Sequence, residues 1–144
     1  MKLTATIITC CLVLLFLLGC QDSHRGVEVV IGGDGQFPEE LVGKWRANRN
    51  SWEFVFEPSG GISSAVIAFG GLAMTPGKVT RLETRGGGKA IYEPGLWTVS
   101  YDPETRDLSV EVVLKHFYQD LAKPQALTGS MTDILAGPVS ADWQ

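Results

Sequence analysis

Alternation of apolar and polar residues with a period of two governs this chain from Gly43 onward. Trp52, Phe54 and Phe56 alternate with Glu53, Val55 and Glu57. Trp97, Val99 and Tyr101 alternate with Thr98 and Ser100, and Leu108, Val110, Val112 and Leu114 alternate with Ser109, Glu111 and Val113. Successive side chains of an extended strand point to opposite faces. This pattern therefore sets one face of a sheet on a core and the other toward water. An amphipathic helix needs a repeat near 3.6, and these stretches lack it.

The breaks between the runs carry turn chemistry. Asn48-Arg49-Asn50-Ser51, Pro58-Ser59-Gly60-Gly61, Arg85-Gly86-Gly87-Gly88 and Asp102-Pro103-Glu104-Thr105-Arg106 are rich in residues that tolerate positive φ or close a turn on their own backbone. Lys123-Pro124 and Gly137-Pro138 close the series. The spacing predicts about seven strands, near 43–48, 52–57, 62–69, 78–85, 89–101, 107–118 and 125–135. Pro94-Gly95 inside the fifth implies a bulge, an edge position or a split. Consecutive hairpins make an up-and-down antiparallel meander. A meander of that length curls into a barrel or folds into two layers.

Leu41-Val42-Gly43-Lys44-Trp45 precedes the first strand. Its G-x-W triplet, after one short turn of helix at Pro38-Glu39-Glu40-Leu41, resembles the start of lipocalin-like β-barrels. The resemblance implies an all-β, lipocalin-like barrel or partly open barrel, with Gly43 at its start and Trp45 plugging the closed end. It departs from that family in its strand count, in lacking a C-terminal helix and in having no late-strand Arg after Lys123.

The N-terminus has a different character. Lys2 is the only charged side chain among the first twenty residues, and Leu3 to Leu18 is almost unbroken apolar sequence. A charged start, an apolar middle and a small-residue end describe a secretory signal. The run is short for a spanning helix, which needs about 20 residues. It closes on Leu17-Leu18-Gly19-Cys20, which resembles the lipobox of bacterial lipoproteins. The resemblance implies acylation of the Cys20 thiol, cleavage before it, and a mature chain that begins there. Two acyl chains suffice for stable anchoring without a spanning segment. Gln21 departs from the Asp that retains such proteins at the inner membrane, which favours the outer membrane facing the periplasm. The alternatives are an ordinary secretory signal and an uncleaved anchor.

These signals divide the chain into a signal peptide at 1–19, a flexible tether at 20–36 and a β-rich domain at 37–144. Val27 to Ile31 is apolar enough to form a stray strand within the tether. Gly32-Gly33-Asp34-Gly35 reads as linker, since it lacks the acidic spacing of a calcium loop and the following helix of a nucleotide loop.

Composition narrows the function classes. The net charge is −4, and loss of Lys2 on cleavage makes it more negative. That balance argues against nucleic acid as a partner. Of three Cys, the lipobox resemblance implies that Cys10 and Cys11 are lost with the signal and Cys20 is acylated, which would leave the mature chain no pair for a disulfide. No Cys/His cluster has metal-ligand spacing, and no motif calls for a cofactor.

Candidate site residues are few. Trp45, Trp52, Phe54, Phe56, Trp97 and Tyr101 form an aromatic set that either lines a cavity for an apolar ligand or simply fills the core. His116 is in phase with Leu108 to Leu114 and is expected to face the same side. It is a candidate ligand contact, or a general base with Asp120 or Asp133, but the plainer reading is a hydrogen-bonded core or rim histidine near a strand end. Phe69-Gly70-Gly71-Leu72-Ala73-Met74-Thr75-Pro76-Gly77 is apolar yet studded with Gly and Pro. It reads as a lid, a lipid contact or a partner-binding loop, with Leu72 and Met74 as its contact residues, or else as a loop folded back on the sheet. No Ser sits in a nucleophile elbow. The expectation is a lipid-anchored envelope protein with a non-catalytic binding or structural role. A lipocalin-like carrier of a small apolar molecule and an envelope hydrolase using His116 are the alternatives.

Overall fold

The computed structural model describes residues 26–47, 51–67, 71–120 and 125–140. The signal peptide, the lipobox with Cys20, and tether residues 20–25 lie outside them. Apart from one 3-10 turn at Glu39–Leu41, the regular structure among the described residues is all strand. The strands are β1 (Val27–Ile31), β2 (Gly43–Arg46), β3 (Glu53–Phe56), β4 (Ile62–Ile67), β5 (Leu72–Met74), β6 (Thr80–Glu83), β7 (Lys89–Pro94), β8 (Trp97–Asp102), β9 (Asp107–Asp120) and β10 (Ala126–Pro138).

They form two sheets. One is a four-stranded antiparallel meander, β2-β3-β4-β5. The other has six strands with β9 as its spine. β8 and then β7 pair along one side of β9, and β10 pairs along the other. β6 extends the sheet beyond β7, and β1 lies beyond β8. Neither sheet closes on itself, so no closed barrel is formed, and ten strands stand where a meander of seven was expected. Hairpin continuity fails at three places, one of them between β7 and β8, which pair with β9 and not with each other. After β5 the chain leaves one sheet for the other, and β1 pairs with β8 in parallel, Val27 opposite Trp97.

β1 also moves the domain boundary. Val27 is buried, as is Phe37, whose ring packs on Phe56 at 5.5 Å and on Tyr101 at 6.2 Å. Residues 27–36 of the expected tether are thus part of the folded unit. Their packing needs close backbone approach: Gly26 has φ of +100°, and a Cβ there would lie 2.4 Å from the Gly77 nitrogen.

The expected fifth strand is split. Gly95 and Leu96 separate β7 from β8, yet both strands pair with β9. Gly95 donates its N–H to the Val113 carbonyl at 2.7 Å, and a Cβ at Gly95 would come within 2.6 Å of Val113 Cγ1. One contiguous core joins the inner faces of both sheets, with Trp97, Val99, Val112 and Leu114 fully enclosed. The alternation in the sequence is the origin of this core: β3 buries Phe54 and Phe56, and β8 buries Trp97, Val99 and Tyr101.

Candidate functional site

The aromatic set divides between core and surface. Trp97 has no exposure, and its indole N–H donates to the Val113 carbonyl at 3.0 Å. Tyr101 is buried with its ring edge-on to Phe37. Both are packed in the core, and neither belongs to the groove lined by the other aromatic residues.

Trp45, Trp52 and Phe54 do come together. With Phe56 they form one wall of a groove of about 320 Å³, and Leu108, Val110 and Leu135 of the other sheet, with Val139 just past the end of β10, form the opposite wall. The groove lies between two free strand edges, where β2 residues approach the end of β10. Trp52 and Phe54 stack at 5.7 Å with 20° between their planes. Trp45 sits at the rim and donates its indole N–H to the Leu41 carbonyl at 2.8 Å. With no closed barrel end to plug, Trp45 becomes part of an open wall. Ligand sites of this size class are mostly apolar, with few polar groups to set orientation. Here Arg46 is the one ionisable side chain among the lining residues. The contribution of Leu135 and Val139 was not apparent beforehand. Sequence pattern places Leu135 on a strand, but not opposite an aromatic wall.

His116 does not join the groove. β9 has one residue more than its partner between Leu114 and Phe117, because Gly129 pairs with Phe117 and Met131 with Leu114. The register against β7 slips at the same place, between Glu93 and Pro94. This bulge reverses the phase of everything after it. Phe117 turns inward and His116 outward, the opposite of the expectation. The ring Nε2 lies 3.1 Å from Thr128 Oγ1 on an exposed sheet face. Asp120, offered as its partner, is engaged elsewhere. Its Oδ1 accepts the Tyr118 hydroxyl, and its Oδ2 accepts the Lys89 N–H at 2.8 Å. The Tyr118 hydroxyl and the Lys89 amide hold the Asp120 carboxyl below its ordinary range, and Asp120 raises Tyr118 in turn. Asp133 sits on β10, half-buried in the row of Met131 and Leu135.

The loop expected over 69–77 is different again. Leu72 and Met74 are only 8% and 3% exposed, and they belong to β5. Their side chains are core, so they offer no contact surface. Residues 69 and 70 lie outside the described residues. A broader concavity of about 450 Å³ covers the outer face of the smaller sheet, between Lys44, Val66 and Lys78. Its carboxylate is already engaged: Glu53 binds Lys44 Nζ at 2.5 Å and Arg46 Nε at 3.0 Å, and the Lys44 contact leads in lowering the Glu53 pKa.

Among the described residues no group of His, Cys, Asp and Glu could hold a metal ion. No helix among them is long and apolar enough to cross a membrane. No family model, curated protein or solved structure matches this chain.

Proposed function

We propose that this chain is a lipid-anchored, non-catalytic binding protein of the bacterial cell envelope, held in the outer membrane through an acylated Cys20, and that the groove between its sheets receives a small apolar ligand. The observation that supports this reading is the groove itself. Two walls of aromatic and aliphatic side chains, Trp45, Trp52 and Phe54 against Leu108, Val110 and Leu135, leave about 320 Å³ open to the surface. A volume near 300 Å³ lies at the lower end of the range for small-molecule sites. The lining has no acid–base pair within reach of a bound molecule, which favours holding over chemistry. An open groove is also a different carrier geometry from a closed calyx.

The full-length protein, purified in a mild detergent, is titrated with the apolar fluorophore 1-N-phenylnaphthylamine. Saturable enhancement is expected, with energy transfer from the wall tryptophans. Leu108 is half-buried on the groove wall. Leu108→Lys should weaken binding at least tenfold, because the ligand must then displace an ammonium or bury beside it. A titration that never saturates, or an affinity indifferent to Leu108→Lys, removes the groove as the site. The anchor is tested separately. Palmitate labelling should mark the native chain and not Cys20→Ser, and the native chain should partition with outer-membrane fractions.

A further inference from the structure

Among the described residues, β10 is partnered on one side alone. It pairs with β9 along its whole length, and no described strand lies on its other edge. Its hydrogen-bond phase follows from the contact just beyond it, where Val139 donates its N–H to the Arg106 carbonyl at 2.9 Å. Residues of an antiparallel ladder alternate between those turned toward the partner and those turned away. Met131, Asp133, Leu135 and Gly137 therefore face β9. Thr132, Ile134 and Ala136 turn their N–H and C=O groups to the open edge. The far side of β9 keeps the same phase, since the Val113 carbonyl is taken by Gly95 rather than by β10.

Sheet edges are ordinarily guarded by short length, lysines, prolines or bulges. β10 has 13 residues, Asp133 as its one ionisable side chain, and a proline only at its last position. Ile134 on this strand is 66% exposed, the highest value among the large apolar residues described. Such an edge calls for another extended strand, because only a strand supplies amides and carbonyls at the matching repeat.

We propose that the missing strand is β10 of a second copy, paired antiparallel about a two-fold axis through Thr132. Centring on Thr132 lets the whole strand overlap its symmetry mate, Ala126 opposite Pro138, and sets Thr132 beside Thr132 and Ser130 opposite Ile134. Centring on Asp133 would place two carboxylates face to face, which is unfavourable. The axis stands perpendicular to the sheet, so both inner faces lie on the same side. The contact is isologous, as in most dimers.

The same register completes the groove. Leu127 shares strand parity with Met131 and Leu135, whose side chains pack on the core. Gly129 shares that parity too, and a Cβ there would lie 3.2 Å from the buried Phe117 ring. Leu127 is 39% exposed on that face. Overlap about Thr132 brings Leu127 of the second copy opposite Gly137, a groove residue with no side chain of its own. An apolar residue from each copy thus comes to the open wall of the other's groove. This last step rests on the ligand-site reading above; the strand pairing does not.

The test is oxidative cross-linking of the full-length chain in native membranes. Antiparallel neighbours in a bonded pair have Cα atoms about 5.5 Å apart, within disulfide range. Thr132→Cys should form a disulfide-linked dimer. Thr105→Cys, in the exposed β8–β9 turn, and the unsubstituted chain should not. Adding Ile134→Lys to Thr132→Cys should reduce the cross-link at least tenfold. Native mass spectrometry of the unsubstituted lipoprotein should show two chains per particle. No cross-link at Thr132, or a cross-link strongest at Asp133→Cys, or a monomer mass throughout, overturns the proposal. Loss of fluorophore binding with the Thr132 cross-link intact would instead remove only the ligand reading.

Discussion

The indole of Trp45 is bonded to the carbonyl of Leu41, four residues earlier, at 2.8 Å. This contact ties the rim of the groove to the turn at Glu39–Leu41, whose Leu41 side chain is itself buried. The first wall residue is thus held by main chain rather than by a neighbouring side chain, and its ring is fixed in place before any ligand arrives.

Trp45→Phe keeps most of the apolar area and removes the donor. The expected cost is about 1 kcal/mol, the usual net value of one intramolecular hydrogen bond. Urea denaturation should read it as a lower midpoint with an unchanged slope. Because the rim loosens, fluorophore affinity should fall as well. Wild-type affinity in Trp45→Phe would show that the ring's position is set by other contacts.

Gly26→Ala tests how firmly β1 is joined to the rest. The new methyl group would meet the Gly77 backbone at 2.4 Å in a conformation that side chains rarely adopt. Either the turn backbone at Pro76-Gly77 shifts or β1 lifts from β8. We expect a loss above about 1 kcal/mol and faster hydrogen exchange at Gly32, whose N–H donates to the Tyr101 carbonyl at 2.9 Å. Unchanged exchange there would mean that β1 is held by its strand pairing alone.

Acidification should release the β6–β7 turn from β9. The Asp120 carboxyl is lowered by the Tyr118 hydroxyl and the Lys89 N–H. A group with a depressed folded pKa contributes stability that is present above its unfolded value of about 3.9 and is lost as pH falls through the folded value. Tyr118 is raised, so its contribution holds below about 10 and disappears as pH rises through its higher folded value. The Lys89 amide shift in an NMR titration should therefore move with a midpoint below the ordinary Asp range. A midpoint at or above about 3.9 would contradict the bond network.

His116→Ala should leave both melting temperature and fluorophore binding nearly unchanged. The ring is exposed, and its Thr128 contact lies on a solvated face away from the groove. Any fall in binding comparable to that of Leu108→Lys would place His116 in the site after all.

Much of this fold was legible because burial alternates wherever a strand stays in register. β3 and β8 follow the pattern residue for residue. His116 was misplaced for a definite reason: a single extra residue in β9 inverts the phase, and nothing in Lys115-His116-Phe117 announces a bulge. β1 was visible as an apolar stretch, but its parallel pairing with β8 depends on a partner about seventy residues away, beyond the reach of local pattern. Leu72 and Met74 looked exposed because Gly and Pro surround them, yet a three-residue strand suffices to bury both. The groove was legible only as a set of rings. Which rings share a wall is decided by sheet-against-sheet packing, and alternation along one strand does not encode it.

Parallel pairing of β1 with β8 gives the molecule a compass. The chain comes into the domain at Val27 beside Trp97 and runs toward Ile31 beside Tyr101, the level at which Leu108 and Gly137 also stand. Four strand steps, about 13 Å, separate those two levels. The described chain thus starts at one pole of the sheet, while the groove's Leu108–Gly137 end stands at the other.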